Sequence, residues 1–156
     1  MRTLYLLVTF LLLALPALSE TSEHQKVSAL LDGLHQAASE ADGERYFDLF
    51  APDGVFLGTD ITERWTIDEF KAYAMPFFRQ GRGWTYRPRE RHIYFAGDVA
   101  WFDETLQSEN YGETRGSGVL TRIQGEWKIN QYHLTVPIPN ALLNQVVEMI
   151  RQRPSE

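Results

Sequence analysis

Polar and apolar positions change their period along the chain. Val27, Leu30, Leu31, Leu34 and Ala38 recur at helical spacing, the stripe of an amphipathic helix beginning near Thr21. Asp42-Gly43 breaks it. A short second helix follows in "ERYFDLF", with Tyr46, Phe47 and Phe50 inward. "APDG" reads as a turn and "VFLG" as a short strand. "TIDE" then opens a third helix as a capping box, with Thr66 accepting from the Glu69 N–H while Glu69 reaches back. Its buried stripe is Phe70, Tyr73, Ala74, Phe77 and Phe78, and Pro76 should kink it or end it early.

After "GRG" the period drops to two. Strands are expected at roughly Trp84–Phe95, Asp98–Ser108, Glu113–Ile123 and Glu126–Val136. The turns "AG", "ENYG" and "QG" make them an antiparallel meander. "PIPN" ends it, and Asn140 caps a terminal helix carrying Leu142, Leu143, Val146, Met149 and Ile150. Helices followed by a long meander make an α+β layout.

The first twenty residues change the picture of location. Arg2 is followed by an apolar run from Leu4 to Leu15, then Pro16, Ala17 and Ser19. That is a signal-peptide layout with cleavage expected after Ser19, and the run is short for a membrane span. The expected product is periplasmic or secreted, without a stable membrane anchor. The chain has no cysteine, which excludes a disulfide framework, thiol catalysis and Cys-based metal sites. The formal charge is −6 and no basic helix or tail occurs, so nucleic acid is excluded as a partner class. Aromatics reach 13%, enough to line a cavity as well as fill a core.

The helix-turn "ADGERYFDLFAPDGVFLG", the strand "VAWFDETL" and the hairpin "GSGVLTRIQGEWKINQYHLT" resemble the nuclear transport factor 2-like superfamily, in its SnoaL-like branch. The resemblance spans nearly all of the mature chain. It implies a cone-shaped fold: N-terminal helices packed in a curved antiparallel sheet, with a pocket at the wide end. It also implies frequent homodimers through the outer sheet face. Members include isomerases, cyclases, hydrolases, dehydratases and non-catalytic domains, so the fold alone does not assign a reaction. The expected organisation is a signal peptide over 1–19, the SnoaL-like domain over 20–140 and an extra C-terminal helix over 141–156.

Within "VAWFDETL", Asp103 and Glu104 must point to opposite faces. A two-residue turn at Ala96-Gly97 sets His92 opposite Trp101. An even-length loop around Asn110 and Tyr111 sets Asp103 opposite Gly118, and a turn at Gln124-Gly125 sets Leu120 opposite Ile129. This places His92, Trp101, Asp103, Gly118, Leu120, Trp127, Ile129, Gln131, His133 and Thr135 on the inner face. Arg87, Arg89, Arg91, Ile93, Phe102, Glu104 and Lys128 fall outside, with Glu104 against Arg89. A single β-bulge would reverse part of this register.

On that register Asp103, in an aromatic pocket, is the candidate acid/base group, with His92 or His133 as partner. The competing reading is a hydrogen-bonded structural carboxylate. His24 and His35 on the first helix are assigned to surface or rim. Ligand contacts are assigned to Trp65, Arg64, Trp84, Tyr86, Trp101, Gln131 and Thr135. Arg64 would pair with a ligand carboxylate. Trp65 either lids the pocket or staples the third helix by packing on Phe70. "RPRERH" reads as an ion-pair ladder rather than a phosphate surface. "GSG" inside a strand makes room for a neighbour or ligand.

Neither the steroid-isomerase base, whose place falls near Gly58, nor the arginine-flanked carboxylate pair of epoxide-hydrolase-like relatives is evident. No phosphate loop, serine-nucleophile motif or dinucleotide fingerprint occurs. No cofactor or metal is assigned. The expected function is a pocket for a small, largely apolar molecule, with cofactor-independent acid/base chemistry. The alternative is a binding or dimeric interaction domain without chemistry.

Overall fold

The computed structural model describes residues 4–153, with side chains from residue 22 onward. The expected signal peptide and its cleavage point after Ser19 lie outside the residues whose side chains are described. The elements are α1 (Leu4–Ser39), α2 (Gly43–Asp48), β1 (Phe50–Leu57), β2 (Arg64–Thr66), α3 (Ile67–Phe78), β3 (Tyr86–Ala96), β4 (Val99–Ser108), β5 (Gly112–Ile123), β6 (Glu126–Thr135) and α4 (Leu143–Arg151). Among the described residues no helix is long and apolar enough to cross a membrane.

Six strands form one sheet in the order β2-β1-β6-β5-β4-β3. The four-strand meander is antiparallel as its turns dictate, but β1 joins it parallel to β6. "APDG" is not a free turn. It lies inside β1, where the pairing with β6 is interrupted between Phe50 and Val55. The α1 stripe packs on the inner face of the sheet: Val27, Leu31 and Leu34 are fully or almost fully buried. Each such side chain contributes roughly 1.5–3 kcal/mol through burial.

The capping box is present. Glu69 N donates to Thr66 Oγ1 at 3.3 Å, and Thr66 N donates to Glu69 Oε2 at 2.8 Å. Pro76 sits in the last turn of α3 and the helix ends two residues later. Asn140 does not cap α4. It opens a short 3₁₀ turn before the helix, and Leu142 at the cap position makes no side-chain bond.

Three details set which way the side chains of the meander point. The first hairpin turns at Gly97-Asp98, with Gly97 at φ +60° and Ala96 paired with Val99. That moves the expected pairing by two residues and leaves the faces unchanged. The second loop holds three residues, 109–111, because Ser108 pairs with Gly112, whose φ is +71°. The expected even loop is therefore odd, and β5 flips relative to β4. The third is a bulge at Asn130: Leu120 still pairs with Ile129, but Val119 pairs with Gln131.

Candidate active site

Together these details reverse the expected orientation of β3 and β4. Ala100, Phe102, Glu104 and Leu106 face α1, and Glu104 is fully buried. Asp103 lies on the outer face, paired with His92 on one side and Ser117 on the other. Ser117 pairs in turn with His133, so His92, Asp103, Ser117 and His133 form one row across the outside of the sheet. The bulge at Asn130 sends Gln131, His133 and Thr135 outward while Tyr132 and Leu134 turn in. Trp101 is also outside, 44% exposed. The expected inner acid/base group of Asp103 with His92 and His133 is thus not brought to the cavity.

The inner face carries a different constellation. His35 Nε2 lies 2.7 Å from Glu104 Oε1, and Tyr132 Oη donates to the same oxygen at 3.0 Å. Arg91 Nε donates to Oε2 at 2.8 Å. Arg91 Nη2 stands equally close to Oε2 but off line for a hydrogen bond, so the guanidinium grips one oxygen rather than straddling two. Arg91 Nη1 donates to Ser28 O, Ser28 Oγ and Asp32 Oδ1 on α1, at 3.0, 3.0 and 2.8 Å. The carboxylate therefore couples helix to sheet through three partners.

The arginine ladder is broken as well. The register slips between Pro88 and Glu90, so Arg87 reaches outward to Glu109 at 2.7 Å while Arg91 turns in to Glu104. Arg89 is not the partner of Glu104.

Burial alone would push the Glu104 carboxyl up. The hydrogen bond and charge of His35 and the Arg91 guanidinium outweigh it and hold the group below the ordinary value of 4.5. Glu104 is then an ionised, acceptor-only group, and the ring nitrogen facing it carries the proton. Among the described residues, Glu104 is the one hydrogen-bond partner of the His35 ring. Tyr132 is held well above the ordinary phenol value, by burial first and by the Glu104 charge second.

His35 and Tyr132 form part of the wall of a cavity of about 290 Å³. Glu104 stands behind them. The rest of the wall is mainly aromatic: Tyr46, Phe56, Trp65, Phe70, Trp84 and Tyr86. Trp65, Trp84 and Tyr86, named from the sequence as ligand contacts, line this cavity. Trp65 also stacks on Phe70 at 5.5 Å and 6°, so it walls the cavity and staples α3 at once. Arg64 alternates with Trp65 on β2 and is exposed, away from the cavity.

A stack of near-parallel rings leads inward. Tyr73 and Trp65 lie 5.1 Å apart, Phe70 and Phe56 4.0 Å, and Phe56 and Tyr132 5.8 Å, with interplanar angles of 22°, 15° and 7°. Tyr73 is half exposed at the mouth, and Tyr132 is buried against Glu104. Gly116 makes the last step possible. A Cβ there would collide with the Tyr132 hydroxyl and come within 2.9 Å of Glu104 Oε1. Tyr86, at the rim, is pushed up to about 12 by burial and by Tyr111.

A family model of the SnoaL-like domain matches residues 27–139. The chain belongs to the SnoaL-like domain family. Solved structures agree on the fold. A cystatin-like domain of unknown function from Nostoc punctiforme superposes with a TM-score of 0.70 at 13% identity, over 85% of this chain and 88% of that one. A proposed dehydratase of the NTF2-like family from Streptomyces avermitilis gives 0.67 at 13%, over 77% and 99%. A proposed scytalone dehydratase from Novosphingobium aromaticivorans gives 0.65 at 12%, over 76% and 87%. No curated protein matches the sequence. The SnoaL-like domain here is an NTF2-like α+β fold with a curved, unclosed sheet.

Proposed function

We propose that the SnoaL-like cavity binds a small, largely apolar ring compound and that His35 removes a proton from it. The observation that carries this reading is the His35–Glu104 contact at 2.7 Å on a histidine that lines an aromatic cavity; in the neutral ring the proton sits on Nε2 toward Glu104, which makes Nδ1 the basic atom. A carboxylate behind an imidazole fixes its tautomer and stabilises the imidazolium formed when it accepts a proton. Arg91 keeps that carboxylate ionised and fixes its position. The Tyr132 hydroxyl donates to Glu104 and stays protonated at neutral pH.

The chemistry that suits a lone neutral base in an apolar site is abstraction of an acidic carbon-bound proton, leading to isomerisation or to loss of water. Two of the superposed structures are named as proposed dehydratases, which is compatible with the second outcome and shares only the fold. Asp103, His92 and His133 have no part in this reading, because they lie on the other side of the sheet.

The test is solvent exchange on a model carbon acid, β-tetralone, in deuterated buffer. The protein should accelerate deuterium uptake next to the carbonyl, and His35→Gln should remove the acceleration while the fold is retained. Binding of the ketone without exchange would favour the alternative, a ligand-binding domain without chemistry.

A further inference from the structure

We infer that the cavity selects a ligand bearing a protonated amine, which docks on Glu63 at the mouth. This deepens the reading of the same cavity and rests on it as a ligand site. It stands on the charge of the lining. Glu63 is a wall residue, and among the described residues no lysine or arginine is one. Glu104 is buried behind the wall and neutralised by Arg91. A ligand entering this space meets one negative group among aromatic rings.

The Glu63 carboxylate is held there by the loop between β1 and β2. Gly58 N donates to Glu63 O at 2.8 Å, and Glu63 N donates to Asp60 O at 3.0 Å. Asp60 N donates to Glu63 Oε2 at 3.1 Å, which fixes one carboxylate oxygen. The side chain folds across Gly58, where a Cβ would overlap its carboxylate and stand 2.9 Å from its Cβ and Cδ. Glycine at 58 thus lets the carboxylate lie over the strand end and into the mouth.

Its surroundings suit a cation. Trp65 and Tyr73 are stacked nearby on the same wall, and ring faces attract ammonium groups. Asp60, tied to Thr62 N and Oγ1 at 2.9 and 2.7 Å, adds a second negative charge on the loop, with Arg153 facing Asp60. Arg64 points away and lies beside Glu69. An anionic ligand would face Glu63 with no cation in the wall to offset it.

The test compares naphthylmethylamine, naphthylmethanol and naphthoate on the full chain, by calorimetry and by tryptophan fluorescence, since Trp65 and Trp84 line the cavity. The amine should bind roughly five- to tenfold tighter than the alcohol at low salt, as expected for a partly screened ion pair with cation–π support. The carboxylate should bind most weakly. Glu63→Gln should erase the amine preference, lowering amine affinity several-fold more than alcohol affinity. Equal binding of amine and alcohol, or a preference surviving Glu63→Gln, overturns the inference and leaves the cavity intact. Failure of all three probes to bind overturns it together with the cavity as a ligand site. Loss of exchange on β-tetralone alone would strike the proton-abstraction reading and not this one.

Discussion

Glu104 Oε1 accepts from both His35 Nε2 and the Tyr132 hydroxyl, while Glu104 Oε2 is held by Arg91. The pair His35–Glu104 is 69 residues apart in sequence and buried where α1 meets β4, with His35 reaching the cavity wall. Its energetics yield the first expectation. Glu104→Gln removes the charge that compensates a largely buried guanidinium, so stability should fall by about 3–5 kcal/mol. Adding Arg91→Leu to that variant should recover part of the loss, because the two side chains are coupled. Urea unfolding of the single and double variants measures this. Additive losses would mean the pair is not coupled.

The same group gives a pH dependence. The Glu104 carboxyl titrates lower in the folded chain than in the unfolded one. Its contribution is therefore complete above the ordinary glutamate value and is lost as pH falls through the folded value. Melting temperature should drop below pH 4.5, and the drop should be shallower in the Glu104→Gln, Arg91→Leu double variant. Identical acid limbs would assign acid sensitivity to other carboxylates.

Gly116 offers a steric test. Gly116→Ala forces a methyl group between the Tyr132 hydroxyl and Glu104. Overpacking of this kind costs roughly 1–3 kcal/mol, and it should weaken ketone binding by displacing a cavity wall residue. Thermal melts with β-tetralone titrations check both. A variant as stable as the parent would mean that Tyr132 can move aside freely.

The outer sheet face carries Tyr94 stacked on Trp101 at 5.7 Å and 18°, both nearly half exposed, with Val99 and Ile123 exposed on the adjoining hairpins. Ile93 and Phe102, expected on the outer face, are buried inside instead, and Phe95, expected beside them at the interface, packs against the core. A homodimer through the Tyr94–Trp101 face is our expectation. Sedimentation at micromolar concentration should show a dimer that Trp101→Arg converts to monomer. A monomer before and after substitution would exclude this interface.

Apart from β2, which reads as loop, and the start of β1, which reads as helix end and turn, the order of elements is legible in the sequence, because helical and strand periods are local properties. The capping box at Thr66, the strands of the meander and the aromatic filling were all readable. What failed was parity. One residue more or less in the Glu109–Tyr111 loop, and one bulge at Asn130, decide whether Asp103 or Glu104 faces α1. Neither detail has a strong local signal beyond Gly112. Yet the alternation Ala100, Phe102, Leu106 marked the buried face of β4, and Glu104 shares it. His35 lies one helical turn past Leu31 on the buried stripe of α1, which places it inward rather than at the rim. The same turn count places Trp101 inside, opposite His92 and on one face with Asp103.

The most direct test of the account is the tautomer of His35, read by long-range proton–nitrogen NMR at alkaline pH and assigned by comparison with His35→Gln. The expected spectrum shows a ring protonated at Nε2 toward Glu104, with an unprotonated Nδ1 whose shift moves when β-tetralone is added. A ring protonated at Nδ1, or one indifferent to the ketone, would contradict it.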